Sequence, residues 1–398
     1  MTIIGFTKLA LAGVCALTAL TALAGTSKAQ GSTHQPPTSQ TAQASSQEPG
    51  TQNPPDENKA VEKSGTDDKS SSEKRPEKLT VASWGGAYTE AQKRAYFSPF
   101  EAETGISIAA IAHNGRFDSL TGNNEGSAPN WDVVDLDEIT LEAGCRSGIL
   151  EKVETETLAA SGDGEAATAD FIEGSLHECG IPSVVWSSAI VYDKRAFQKA
   201  KPVSAPDFFD VKKFPGLRAL PRAPRYVVEL ALMADGVKPQ DVYETLGDDE
   251  GLERAFKQLD RIGGHVNWWH QPHQPIKLLA KKQAAMAIAF NGRIFNAIVA
   301  NNHPFEIIWD GQVFQLDYWA VPKPARHKSA SLDFIAFATR PDSLARQASW
   351  FPYGPVRKSA VKLVGKHPEI DVHMARFLPT SPDNVRKAIK FTYGWCKT

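Results

Sequence analysis

No Phe, Trp or Tyr occurs between Gln30 and Lys78, and all nine tryptophans lie beyond that stretch. Apart from proline, its only apolar side chains are Ala42, Ala44, Ala60 and Val61. Too little apolar surface is present there to offset chain entropy, which excludes a folded domain. An excess of one charge is also lacking: 44 Lys and Arg stand against 46 Asp and Glu, a formal net charge of −2. Nucleic-acid binding normally leaves a basic excess, so this balance argues against such a partner. Catalytic signatures are missing as well. There is no G-x-S-x-G elbow, no H-E-x-x-H and no Ser/His/Asp ordering, and the scattered acids nominate no glycosidase pair. A secreted hydrolase is therefore set well behind a non-enzymatic role.

What is there falls into three parts. Residues 1–29 read as a secretory signal peptide. Lys8 gives a positive start, Leu9–Gly25 is an uncharged run of small and apolar residues, and small-x-small sequences follow at Ala22-Leu23-Ala24 and Ser27-Lys28-Ala29. The run is marginal for roughly 30 Å of hydrocarbon, which favours removal over a retained anchor. Thr26, not cysteine, follows Leu23-Ala24-Gly25, so lipid attachment is not expected. Residues 30–78, rich in Pro, Ser and Gln, read as a disordered linker. The remaining 320 residues are the folded part. Export permits disulfides. Cys145 and Cys179, each beside a glycine, can close a 34-residue loop, a stabilisation of roughly 3–4 kcal/mol by chain entropy. Cys396 is left over.

Strand and helix patterns alternate in the folded part. Leu79–Trp84 reads as a strand broken by Gly85-Gly86. Tyr88–Glu103 has helical spacing, with a kink expected at Pro99 and a stop at Gly105. Ile106–Ala112 and Trp131–Leu136 read as strands and Ile139–Ser147 as a helix. Later come a strand at Gln283–Phe290, a turn at Asn291-Gly292, a helix at Arg293–Asn301, and two strands at Phe305–Asp310 and Phe314–Val321. Such alternation gives an α/β fold with parallel strands. Ligands of open α/β sheets bind beyond the carboxyl ends of the strands. Those ends carry Trp84, Asp137 with Glu138, Phe290 with Arg293, and Asp317 with Tyr318 and Trp319. Rings that sandwich a carbon chain and acids that hold an amine suit a small cationic or zwitterionic ligand.

Seven segments carry a resemblance to a known family: SWGGAYTEAQKRAYFSPFEAETGISI (83–108), WDVVDLD (131–137), the GC and ECG pair (144–145 and 178–180), FFDVKKFPGLRAL (208–220), FNGR (290–293), LDYWAVP (316–322) and FPYGPVRK (351–358). In this order they resemble periplasmic solute-binding proteins of the spermidine/putrescine type, whose wider membership includes γ-aminobutyrate receptors. The resemblance covers essentially all of residues 79–398. It implies a type II periplasmic binding protein fold with ligand in the cleft between two lobes that close by hinge motion. Crossings are expected near Val184–Asp193 and Leu316–Val321. The expected lobes are 79–186 with about 318–345, and 187–317 with about 346–398. It also implies a periplasmic monomer without cofactor that hands its ligand to an ABC permease in the inner membrane, or that serves in sensing.

Residue by residue, the family's first-strand aromatic falls on Trp84, its aromatic before Asn-Gly on Phe290, its crossing-strand acid on Asp317 and its late-loop aromatic on Tyr353. Two departures matter. Gln315 stands where a second aromatic usually precedes the acid. The loop Pro221-Arg222-Ala223-Pro224-Arg225-Tyr226 has no acid before Glu229, where polyamine binders place two carboxylates. A buried ammonium needs a counter-charge. A small amine or a zwitterionic ω-amino acid is therefore expected ahead of putrescine or spermidine, with Arg222, Arg225 or Arg293 taking a carboxylate. Asp137 has helix capping as its plainer role, Arg222 and Arg225 an exposed basic loop, Arg293 a surface ion pair, and Trp269 core packing beside Trp268. A metal receptor is the remaining rival on this fold. Its one close His pair, His270 and His273, brackets a proline that spoils helical ligand geometry, and no metal is expected.

Overall fold

The computed structural model describes residues 76–121 and 130–391. The signal peptide, nearly all of the linker, and Cys396 lie outside the described residues. Nine strands form one mixed sheet: β1 (Lys78–Ser83), β2 (Ser107–Ala112), β3 (Val133–Asp137), β4 (Ile181–Asp193), β5 (Arg218–Pro221), β6 (Val266–Trp269), β7 (Met286–Phe290), β8 (Phe305–Ala320) and β9 (Ile389–Lys390). Their order is β2-β1-β3-β8-β4-β7-β5-β6, with β9 beside β8.

The expected parallel pairing holds on both flanks, where β1 pairs with β2 and β3, and β5 with β6 and β7. The centre differs: β8 runs antiparallel to β3 and β4, and β4 antiparallel to β7. The reason is that β4 and β8, with 13 and 16 residues, are the crossing strands and pair with each other along nearly their whole length. The two strands expected at Phe305–Asp310 and Phe314–Val321 are one. Gly311, at φ +79°, lies where the β4–β8 register shifts between Ser188 and Ile190, so a bulge takes up what looked like a break.

Side-chain alternation along the long strands feeds separate cores. One core gathers Val81, Val133 and Leu136 with Ile181 and Val185 of β4, Leu316 and Trp319 of β8, and Phe97, Phe100 and Phe334 from covering helices. Val356 and Ala360 pack into it as well. A second takes Ile190 and Tyr192 of β4, Met286 and Ile288 of β7, and Phe208, Val228 and Leu232. Ala189, Val191, Ala287 and Ala289 alternate with these residues and pack on the other face with Leu279 and Ile294.

The helical run after β1 is three pieces, Gly86–Gln92, a π turn at Lys93–Phe97, and Ser98–Thr104. Pro99 offers no N–H to the preceding turn, and the widened turn before it absorbs the break in place of a simple kink. The expected disulfide is formed between Cys145 and Cys179, joining the end of the helix Glu138–Arg146 to the segment entering β4. A second tie is the fully buried Arg357, whose Nε donates to Asp170 at 2.7 Å while its Nη1 donates to the Ala159 carbonyl at 2.8 Å. No helix among the described residues is long and apolar enough to cross a membrane.

Candidate functional site

Strand register fixes the acids. β3 pairs with β8 so that Asp137 lies opposite Asp317, and Asp135, two residues back, shares their face. On the other side of β8, Trp186 of β4 lies opposite Gln315. From there its indole N–H donates to Asp317 Oδ1 at 2.9 Å. The aromatic that Gln315 does not supply thus comes from the neighbouring strand, while the Gln315 amide donates to the Tyr226 hydroxyl at 3.1 Å.

Rings wall the space beside Asp317. Trp84 follows β1, and its ring lies flush against Gly115. A Cβ on Gly115 would come within 2.3 Å of that ring, and its φ of +69° independently favours glycine. Tyr88, on the first helix, has its ring 5.1 Å from that of Tyr353 and 5.9 Å from that of Phe351. The loop bearing the last two is clamped to β4, since Val185 and Gly354 exchange backbone hydrogen bonds of 2.7 and 2.8 Å. Asn291 adds a second clamp. Its Oδ1 accepts from the Ser187 N–H at 3.0 Å and its amide donates to the Pro352 carbonyl. The turn expected at Asn291-Gly292 is instead the start of a helix, Asn291–Phe295, because this buried asparagine spends its side chain on neighbouring segments. Phe290, just before it, stands edge-on to Trp186 at 5.3 Å.

The resulting cleft has a volume of about 630 Å³, the size of small-molecule sites. Six of the sequence-predicted residues line it: Trp84, Asp137, Phe290, Arg293, Asp317 and Tyr353. Asp137 also caps the following helix, accepting from the Thr140 N–H at 2.8 Å. Arg293 is exposed and makes no hydrogen bond or ion pair with a described residue.

Four predicted residues do not line the cleft. Glu138 is half-buried; burial raises its pKa, with Lys390 and His177 opposing the rise and Asp137 and Glu142 adding to it. Arg222 is exposed, with its backbone N–H donating to the Trp269 carbonyl. Arg225 lies over the rings of Phe391 and Tyr226, at 4.4 and 5.8 Å. Trp269 is buried behind Phe290, ring centroids 6.3 Å apart. Tyr318 and Trp319 belong to the first core.

Four further residues escaped the sequence reading: Tyr88, Trp186 and Phe351 in the wall, and Asp135 beneath it. For Trp186 a signal existed, since a tryptophan in a crossing strand beside the acid-bearing one is placed to meet that acid. Asp135 gave none, because its strand reads as uniformly buried. Burial pushes the Asp317 carboxyl well above its usual range, with Asp135 and Asp137 adding to the shift and the Trp186 hydrogen bond opposing it. The Trp84 indole N–H also favours the charged form, yet it meets full hydrogen-bond geometry with no described residue. Burial likewise raises Asp135, to about 7, against hydrogen bonds from Gln92, Tyr88, Ser83 and Ser183.

Among the described residues one group has metal-like spacing, Cys145, His177 and Cys179, and both of its sulfurs are in the disulfide. His270 and His273 form no such group. A larger recess of about 930 Å³, around Lys238, Tyr243 and Lys387, contains none of the predicted residues.

A buried acid between aromatic walls, with an unpaired arginine on the same cleft and two cores joined by long crossing strands, describes a two-lobed receptor for a small charged solute. The chain belongs to the bacterial extracellular solute-binding protein family, whose family model matches residues 95–375. It is 36% identical to the gamma-aminobutyric acid-binding protein of Pseudomonas aeruginosa over 319 residues, 80% of this chain and 86% of that protein. Among solved structures, an ABC transporter substrate-binding protein from Bradyrhizobium japonicum superposes with a TM-score of 0.68 at 29% identity, covering 81% of this chain and 95% of that one. The Atu4243 GABA receptor superposes with a TM-score of 0.63 at 28% identity, covering 80% and 92%.

Proposed function

We propose that the protein is the periplasmic, monomeric receptor of an ABC importer and captures a short ω-amino acid of γ-aminobutyrate's chemistry, its ammonium on Asp317 and its carboxylate on Arg293. The observation that carries this reading is the pairing, in a single ring-walled cleft, of one deeply buried acid and one arginine that each lack an oppositely charged partner among the described residues. Asp137 and Asp317 lie directly opposite each other, side chains about 5 Å apart by strand geometry, so the acids cluster at one place. A diamine needs acids at both of its ends, and this clustering does not provide them. The relatives named for GABA fit the same choice.

In this reading the lobes take residues 79–186 with about 318–360, and 187–317 with the remainder. Val356 and Ala360 pack in the first core, which supports a return to the second lobe after Ala360. Trp84, Tyr88, Phe351 and Tyr353 sandwich the methylene chain while the lobes close, and the closed form is what the permease accepts. A thermal-denaturation screen of ω-amino acids, monoamines and polyamines tests it, because ligand at 100 times Kd adds about 2.7 kcal/mol of apparent stability. γ-Aminobutyrate is expected to raise the melting temperature, less so in Arg293→Gln. A response to putrescine or spermidine alone would overturn the assignment.

A further inference from the structure

Asp135 is fully buried and takes no part in walling the cleft, yet it is among the most densely bonded acids near it. The Gln92 amide and the Tyr88 hydroxyl donate to its Oδ2 at 2.9 and 3.0 Å and the Ser183 hydroxyl to its Oδ1 at 3.3 Å, while the Ser83 hydroxyl, 3.3 Å from Oδ2, gives its proton to Gln92 Oε1 at 2.7 Å. Tyr88 lines the cleft with its ring and holds Asp135 with its hydroxyl, so it connects the two. Asp317 shares the same face of the sheet and, among the described residues, has Trp186 as the one donor that meets full hydrogen-bond geometry. Neither acid pairs with a lysine or arginine among the described residues.

The titratable groups that face the pair are acids and phenols: Asp137 on β3, Tyr88 and Tyr96 on the helical run after β1, Tyr318 on β8 and Tyr353 in the late loop. His113, bonded to the Asp135 backbone carbonyl, is held toward neutrality by burial. The nearest cationic influences are indirect, Arg293 acting on Tyr353 and Arg346 on Tyr96. Asp135 lies opposite Trp319, so it and Asp317 are diagonal neighbours on one face of β3 and β8, and two buried carboxyls so placed without a counter-ion do not ionise independently near neutral pH.

We propose that Asp135 is a positioning residue for ligand capture: with Asp317 it forms a carboxyl pair that keeps one proton while the cleft is empty and loses it to solvent when an ammonium group docks on Asp317. This deepens the amine-binding reading and rests on it. The denser set of donors makes Asp135 the ionised member, so the proton sits on Asp317. On capture the Asp317 O–H bond breaks, the proton passes to water and buffer, and the freed carboxylate accepts from the ammonium N–H. The pair goes from one negative charge to two, the ligand adds one positive charge, and no electrons move. Only a cationic group drives this exchange, so the pair selects against neutral and purely anionic solutes. Amine affinity should be constant above the pair's midpoint and fall about tenfold per pH unit below it.

The test begins without ligand. Full-length protein carrying carbon-13-labelled aspartate carboxyls is titrated from pH 4 to 9 by NMR. A carboxyl transition at or above neutrality is expected that is lost in Asp317→Asn and moved down by a pH unit or more in Asp135→Asn, apart from any transition of Asp135 itself. If Asp135→Asn does not fold, the wild-type and Asp317→Asn titrations still decide. Titrations confined below about pH 5 would overturn the proposal. Calorimetry with γ-aminobutyrate at pH 6, in two buffers of different ionisation heat, then reads the proton count. Release approaching one proton per ligand is expected, and binding without release would overturn the proposal alone. A near-neutral transition with no binding of γ-aminobutyrate or methylammonium would instead overturn the amine-binding reading, and the capture step with it.

Discussion

Replacing Asp317 by asparagine separates a binding acid from a structural one. The asparagine Oδ1 can still accept from the Trp186 indole N–H, so the 2.9 Å bond and the local packing are kept. What goes is a buried acid with no cationic partner, which strains the empty protein whenever it ionises. At pH 8 the empty Asp317→Asn protein should therefore be as stable as the parent or more so, read as an equal or higher melting temperature. Ligand affinity should move the other way. Removing one partner of a desolvated charge pair costs about 2–5 kcal/mol, a loss of roughly thirtyfold to several thousandfold in Kd. Thermal denaturation of the empty protein and calorimetric titration with γ-aminobutyrate read the two effects separately. Unchanged affinity together with a lower melting temperature would refute the reasoning, because Asp317 would then be holding the strands and not the ligand.

Three other outcomes follow from named contacts. Arg357→Met leaves Asp170 buried with Ser359 as its remaining side-chain partner, and should lower stability by roughly 3–5 kcal/mol, read as a lower urea midpoint at unchanged slope. Cys145→Ser with Cys179→Ser opens the 34-residue loop and should cost roughly 3–4 kcal/mol, measured by the same denaturation curves. Empty protein should lose stability as pH rises from 5 to 8. Burial holds the Asp317 carboxyl well above its usual range, so folding favours its protonated form and that advantage disappears as pH climbs toward the folded value. Acids held low by their partners, such as Asp170 and Asp193, act in the opposite sense and only below about pH 4. A flat melting temperature between pH 5 and 8 would count against the buried pair.

The parts of the site legible in the sequence were those set by strand ends and short motifs. Trp84 before Gly85-Gly86, Phe290 before Asn291, Asp317 in a crossing strand and Tyr353 before Gly354 all come together in one cleft. What depends on strand register was hidden. Trp186 reaches Asp317 only because β4 and β8 are neighbours offset by one pair, a relation between residues 131 positions apart. Asp135 lies in Val133–Asp137, a strand buried on both faces, where alternation cannot say which side an acid occupies. The loop of Arg222 and Arg225 looked suitable for a carboxylate because it follows a strand end. Tyr226, in the left-handed region at φ +71°, turns the chain into the helix Val227–Ala234, and Arg225 stacks on Phe391 instead. The mixed centre of the sheet was illegible for a similar reason: local alternation announces strands and helices, whereas the antiparallel crossing depends on how two distant long strands pair.

The central claim is that this cleft takes one ammonium and one carboxylate on a short chain. Its most direct measurement is calorimetric titration of the purified protein at pH 7.5 with γ-aminobutyrate and with putrescine, which differ mainly in replacing the carboxylate end by a second amine. The expected result is saturable one-to-one binding of γ-aminobutyrate, weakened at least tenfold in Arg293→Gln, with putrescine much weaker. Tight putrescine binding, indifferent to Arg293→Gln and without response to γ-aminobutyrate, would contradict it.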